Sequence, residues 1–122
     1  MAIQLNHTIV FSRDKKESAD FLCEILGRPM AVPFGPFLAV RLDNDVTLDF
    51  MDAEGDVALQ HYAFLISDAE FEQSFARIRA RKLMYWADPY RSRPSEVSTD
   101  NGGRRIYFED PSRHLLEIFT KD

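Results

Sequence analysis

The sequence predicts an α+β protein built from two β-α-β-β-β modules within one domain, residues 1–122, and three observations carry that expectation. The phrase Leu5-Asn6-His7-Thr8-Ile9-Val10-Phe11 recurs as Leu59-Gln60-His61-Tyr62-Ala63-Phe64-Leu65, an amide and then a histidine inside an apolar, strand-like run. Each copy is followed by a helix-period pattern and then by short alternating segments, in the same order. Each half also closes on a strand-like segment with an acid at its centre, Asp49 in the first and Glu117 in the second. The first module covers about residues 2–52 and the second about 57–121.

Element by element, residues 2–11 alternate like a strand, and Arg13 to Gly27 reads as a helix with Ala19, Phe21, Leu22, Ile25 and Leu26 toward the core. Gly27 is placed to end it. Three strands are expected at Met30 to Phe34, Phe37 to Leu42 and Val46 to Met51, separated by the Gly35-Pro36 and Asp43-Asn44-Asp45 turns. The second half repeats the plan. A strand from Ala58 to Ile66 precedes a helix from Asp68 to about Lys82 with Phe71, Phe75, Ile78 and Leu83 on its apolar stripe and Asp68 as its expected N-cap. A strand at Met84 to Ala87 and a long polar segment follow, then strands at Arg104 to Glu109 and Leu115 to Thr120 around Asp110-Pro111-Ser112-Arg113.

A chain of 122 residues suits one domain that buries roughly two thirds of its unfolded surface. The net charge of -5 argues against nucleic acid as the main partner, because phosphate binding needs a basic face. Arg77, Arg79 and Arg81, the densest basic group, read as a solvated helix end where cations suit the dipole. No apolar run approaches the ~20 residues that span a bilayer, and no leader pattern opens the chain, so a cytoplasmic protein is expected. The single cysteine, Cys23, excludes an intramolecular disulfide and reads as a small buried hydrophobe among Phe21, Leu22, Ile25 and Leu26.

Histidine suits a buried strand poorly, and its appearance at the same place in two related strands points to two imidazoles brought together by internal symmetry. Strand residues two apart share a face, so Leu115, Glu117 and Phe119 point one way and Leu116 and Ile118 the other. A carboxylate amid apolar strand residues needs a cation, a hydrogen-bond network or a proton. The repeat thus supplies His7 and His61 on opening strands and Asp49 and Glu117 on closing strands. Imidazole nitrogen and carboxylate oxygen suit Fe(II), Mn(II), Ni(II), Co(II) or Zn(II), and two histidines with one carboxylate leave positions open for substrate. His7, His61 and Glu117 are the primary candidates. Asp49 is the weaker one, since aspartate is shorter than glutamate.

The paired plan, the His61-Tyr62-Ala63-Phe64 segment, and the run Gly103-Arg104-Arg105-Ile106-Tyr107-Phe108-Glu109-Asp110-Pro111-Ser112-Arg113-His114-Leu115-Leu116-Glu117-Ile118 resemble the vicinal oxygen chelate superfamily, over essentially the whole chain. That group includes glyoxalase I, extradiol dioxygenases, fosfomycin-modifying enzymes and bleomycin-resistance proteins. The resemblance implies a curved mixed sheet around a metal-site cleft, the ligands His7, His61 and Glu117, and a fourth position at Asp49, where glyoxalase I carries glutamate. It also implies a substrate with two adjacent oxygens, held on a metal acting as Lewis acid. The second half is most similar to the fosfomycin-modifying enzymes, but Ile9 and Arg105 stand where those enzymes have threonine and serine, which argues against fosfomycin as substrate.

Tyr107 is the expected acid-base or substrate-facing group, whereas His114 lies out of phase with Glu117 and reads as structural. The segment from Asp88 to Gly103 is the main break in the repeat. Long loops in compact domains are often functional, and Arg91 or Arg93 would meet an anionic substrate. Phe34 and Phe37, around Gly35-Pro36, would form an apolar pocket wall. Two functions of different class are expected. One is a metal-dependent lyase or extradiol-type dioxygenase, with thiol transfer less favoured; the other is a metal-free, bleomycin-resistance-type binding protein. A homodimer is expected in either case, with His7 and His61 meeting within a chain or across two.

Overall fold

The computed structural model describes residues 2–122. In chain order it contains β1 (His7–Ser12), α1 (Lys15–Leu26), β2 (Val32–Phe34), β3 (Phe37–Arg41), β4 (Thr47–Asp52), β5 (His61–Leu65), α2 (Asp68–Ala80), β6 (Tyr85–Trp86), β7 (Arg105–Glu109) and β8 (Leu115–Phe119). Two four-stranded mixed sheets result, ordered β1-β4-β3-β2 and β5-β8-β7-β6. In each, the opening strand lies at one edge, parallel to the closing strand beside it. The expected pair of β-α-β-β-β modules is therefore present.

The helices start where side chains satisfy their first amides. Asp14 accepts from the backbone N–H groups of Lys16 and Glu17 at the head of α1. Gly27 ends that helix in the left-handed region, φ 65°, and a Cβ there would lie 2.7 Å from an Arg77 guanidinium nitrogen. For α2 the expected cap is corrected by one residue. Ser67 caps it and Asp68 is its first residue, because Glu70 returns a bond to the Ser67 N–H and closes a capping box. The arginines of its last turn do more than face solvent. Arg77 donates to the Ile25 carbonyl and Arg81 pairs with Glu24, so both fasten α2 to α1.

Most strands are shorter than their patterns. Residues 2–6 lie outside β1, with Ile3 and Leu5 exposed, because the β4 ladder reaches back only to His7. Within each strand, alternation decides which residues face the core. Val10, Leu48, Phe50 and Val40 of the first sheet, and Phe64, Leu116, Ile118, Ile106 and Phe108 of the second, pack on Phe21, Leu22, Ile25, Phe71 and Ile78 of the helices. One core thus joins the modules, with Cys23 inside it as expected.

Polar bonds reinforce this junction. His114, 1 % exposed, accepts from the Gln60 N–H at Nδ1 and donates from Nε2 to the Phe11 carbonyl, at 3.0 and 2.7 Å. Ser112 accepts from the Arg13 N–H at 2.9 Å. His114 therefore bridges the two modules through the backbone, in keeping with its structural reading.

Candidate metal centre

The residues left on the outer sheet faces carry the chemistry. On the first sheet, Ile9, Asp49, Ala39 and Val32 form one cross-strand row, with His7 and Thr47 in the next. On the second, Ala63, Glu117, Tyr107 and Trp86 form the corresponding row, with His61 and Leu115 in the next. His7 therefore stands to Asp49 as His61 stands to Glu117. The internal repeat survives as a repeat of positions on two surfaces.

In the second module the pair is closed. His61 Nε2 lies 3.0 Å from Glu117 Oε1, and His61 Nδ1 lies 3.0 Å from the Leu115 carbonyl oxygen. A carbonyl only accepts, so Nδ1 carries a proton, and Nε2 is the ring nitrogen turned toward the carboxylate. Two lone-pair donors at that distance need a cation or a proton between them. The arrangement fits a divalent metal: a carbonyl on the far nitrogen is the usual orienting partner of a ligating histidine. Donors roughly 2.1 Å from one ion and at right angles also stand roughly 3 Å apart. Glu117 is 6 % exposed, so an ion bound there is held by a largely desolvated charge.

In the first module the pair is open. His7 Nδ1 lies 2.8 Å from Asn6 Oδ1, which fixes its orientation in the same sense, while the Asp49 carboxylate is buried and makes no hydrogen bond or ion pair among the described residues. Within one chain, no three His, Cys, Asp or Glu side chains among the described residues converge closely enough to hold a metal ion. The expected ligands are therefore split, with His61 and Glu117 together and His7 on the other module's outer face.

Tyr107 lies directly across the ladder from Glu117 and stacks on His61, ring centroids 6.0 Å apart at 28°. Burial, and then the neighbouring carboxylate of Glu117, push its phenol above the ordinary range. It stays a proton donor at neutral pH. Arg105, which the sequence marked only as a departure from the fosfomycin-modifying enzymes, places Nε 2.6 Å from Glu117 Oε2, while its guanidinium lies over the Phe119 ring, 4.8 Å from the centroid. Its Nε–H is not aimed at the oxygen, so this contact is coulombic rather than a directed hydrogen bond. The signal was available, since Arg105 is two residues from Tyr107 on one strand and so shares its face.

The long segment is folded. Asp88 accepts from the Ser92 and Arg93 N–H groups, and isolated bridges join Trp86 to Pro94 and Ser98 to Arg105. It carries Arg91 onto the outer face, over Trp86 and paired with Glu109 at 2.9 Å. Arg93 is turned to the loop's own Glu96 and Asp100. Phe34 and Phe37 face each other across the hairpin tip, on the same outer face as His7 and Asp49, with Phe34 exposed. No helix is long and apolar enough to cross a membrane among the described residues.

Comparison with known proteins places these observations in a family. Residues 4–118 match the family model described as the glyoxalase/bleomycin resistance protein/dioxygenase superfamily. The solved structures of oxidase ChaP-H1 and oxidase ChaP-H2 are 54 % and 52 % identical, each with a TM-score of 0.97, and cover 99 % and 100 % of this chain and 98 % and 96 % of theirs. The metallothiol transferase FosB of Shouchella clausii (strain KSM-K16) is 33 % identical over 86 residues, 70 % of this chain and 52 % of its own, so the match spans about half of that relative. The fosfomycin resistance protein FosX from Mesorhizobium loti, 23 % identical with a TM-score of 0.70 over 100 % of this chain and 95 % of its own, shares the fold.

Proposed function

The chain belongs to the glyoxalase/bleomycin resistance protein/dioxygenase superfamily, and we propose that it is a metal-dependent oxidase acting on a small molecule with two adjacent oxygens, with dioxygen as electron acceptor. The observation that carries this reading is the approach of His61 Nε2 to Glu117 Oε1 at 3.0 Å, beside a phenol and a guanidinium. Likeness above 50 % identity to two proteins named as oxidases favours oxidation over the lyase branch.

A divalent ion bound here supplies Lewis acidity and a docking point for two neighbouring oxygens. The residues do the rest. His61 and Glu117 of one protomer, with His7 of a second copy, would hold the ion, and Asp49 of that copy lies on the face that would complete the shell. Tyr107 offers its hydroxyl hydrogen to a substrate oxygen. Phe34 and Phe37 provide apolar wall, and Arg91 closes the rim above Trp86. A homodimer is supported by what one chain leaves uncovered. Ile9, Phe11, Val32, Phe34 and Leu65 are all at least 40 % exposed, and β1 and β5 are open sheet edges.

The test is metal content after purification without added metal, for wild type and His61→Ala, followed by oxygen uptake with catechols and with α-hydroxyketones. The expected result is one divalent ion per chain, lost in the variant, and oxygen uptake that requires it. Wild type that neither retains Fe(II), Mn(II), Co(II), Ni(II) or Zn(II) nor gains thermal stability from them would overturn the reading and leave metal-free binding. Turnover of methylglyoxal with a thiol, without oxygen uptake, would move the protein to the lyase branch.

A further inference from the structure

We infer that Arg105 is a positioning residue that confines Glu117 to a single donor oxygen at the metal, an inference that rests on the metal centre proposed above. The two oxygens of Glu117 have different partners: Oε1 faces His61 Nε2 at 3.0 Å, and Oε2 faces Arg105 Nε at 2.6 Å. The side chain of Glu117 is 8 % exposed and that of Arg105 27 %, so their attraction is screened far less than a surface ion pair's. Packing on Phe119 fixes where the guanidinium sits. An ion bound beside His61 meets Oε1 directly, and reaches Oε2 as well only by displacing a cation already there.

The first module provides an internal comparison. Ala39 stands opposite Asp49 as Tyr107 stands opposite Glu117, and the strand position that corresponds to Arg105 is Phe37. Asp49 lacks a guanidinium on its carboxylate. The restraint is therefore confined to the second module, the one in which histidine and carboxylate already meet. A carboxylate bound through one oxygen takes one coordination position, and bound through two it takes two. Arg105 thus keeps a position free for substrate or dioxygen on an ion that must also chelate two substrate oxygens.

Mn(II) tests this, through the water-proton relaxation enhancement of the protein-bound ion, which reports how many exchangeable waters it keeps. Wild type, Arg105→Ala, Arg105→Gln and Arg105→Lys are titrated with Mn(II) alone, with circular dichroism confirming the fold. Arg105→Ala and Arg105→Gln are expected to lose about one water per bound ion, as Oε2 takes its place, while Arg105→Lys, which keeps a cation on Oε2, stays near wild type. The pair of neutral variants guards against one of them failing to fold. Equal enhancement per bound ion in wild type and the neutral variants would overturn the inference, as would Arg105→Lys behaving like them. Wild type that binds no Mn(II), nor any other of the candidate ions, fails the metal centre itself, a result distinct from full binding with unchanged hydration.

Discussion

His61 turns its Nε2 toward Glu117 Oε1 at 3.0 Å while its Nδ1–H is held by the Leu115 carbonyl. At the proposed metal centre, substituting either residue would remove a donor outright, whereas loss of an orienting partner alone costs roughly 10–100-fold in metal affinity. His61→Ala and Glu117→Gln are therefore expected to weaken metal binding by more than about 100-fold, with the fold retained. Isothermal titration with Co(II) or Mn(II) measures this, and binding within tenfold of wild type would remove the pair from the site.

If His7 completes the centre of a second copy, damage on opposite sides is complementary. His7→Ala and Glu117→Ala homodimers should each bind no metal tightly. Refolded together, they give mixed dimers in which one site has both substitutions and the other has neither, so about a quarter of the wild-type sites should return. Metal content that stays at zero after mixing would place His7 outside the partner's site.

His114 joins the modules through two backbone bonds, from the Gln60 N–H and to the Phe11 carbonyl. His114→Ala leaves both groups unpaired around a new cavity, and a loss of about 3 kcal/mol is expected from unsatisfied polar groups and lost packing. Urea denaturation of the metal-free protein reads this. A loss below about 1 kcal/mol would mean that solvent or a neighbour satisfies both groups.

Two carboxylates give opposite pH signatures. Asp110 accepts from the Ser112 and His114 N–H groups, yet burial raises its pKa above the ordinary range. A raised folded-state value means that its ionised form costs stability, a cost absent at low pH that appears as pH rises through that value. Asp110→Asn, which keeps an accepting oxygen, should therefore gain on wild type as the pH rises from about 4 to 7. Glu70 is lowered, chiefly by the Ser67 N–H bond, so its contribution is present above the unfolded value and lost as pH falls through the folded one. Glu70→Ala, which removes the carboxylate that accepts from the Ser67 N–H, should cost about 1 kcal/mol at pH 7, and less under acid. Melting curves at several pH values check both signs, and parallel curves for variant and wild type would contradict them.

Much of this was legible in the chain because strand and helix periods are local. The alternation around Glu117 set Leu115, Glu117 and Phe119 on one face and Leu116 and Ile118 on the other; the structure buries Leu116 and Ile118 in the core and pairs Glu117 with Tyr107 across the ladder. His114, out of phase with Glu117, proved to be a buried tie. The Ser67 cap was missed because Asp68 and Ser67 both suit the position, and the choice fell to the reciprocal bond with Glu70. The place of Arg105 beside Glu117 was missed for a different reason. A basic residue on a strand reads as solvated until Glu117 on the next strand and the Phe119 ring are seen to hold it.

The sequence by itself determined the repeated module and the faces on which His7, Asp49, His61 and Glu117 lie, since each follows from side-chain alternation over a few residues. Only the tertiary structure decided how those faces are used. Both sheets bury their aliphatic faces on α1 and α2 in one core, because that removes the most apolar surface from water. The histidine faces are consequently turned outward on separate modules. His61 reaches Glu117 because β5 and β8 are hydrogen-bonded neighbours; His7 lies in the other sheet, with no ladder to bring it there.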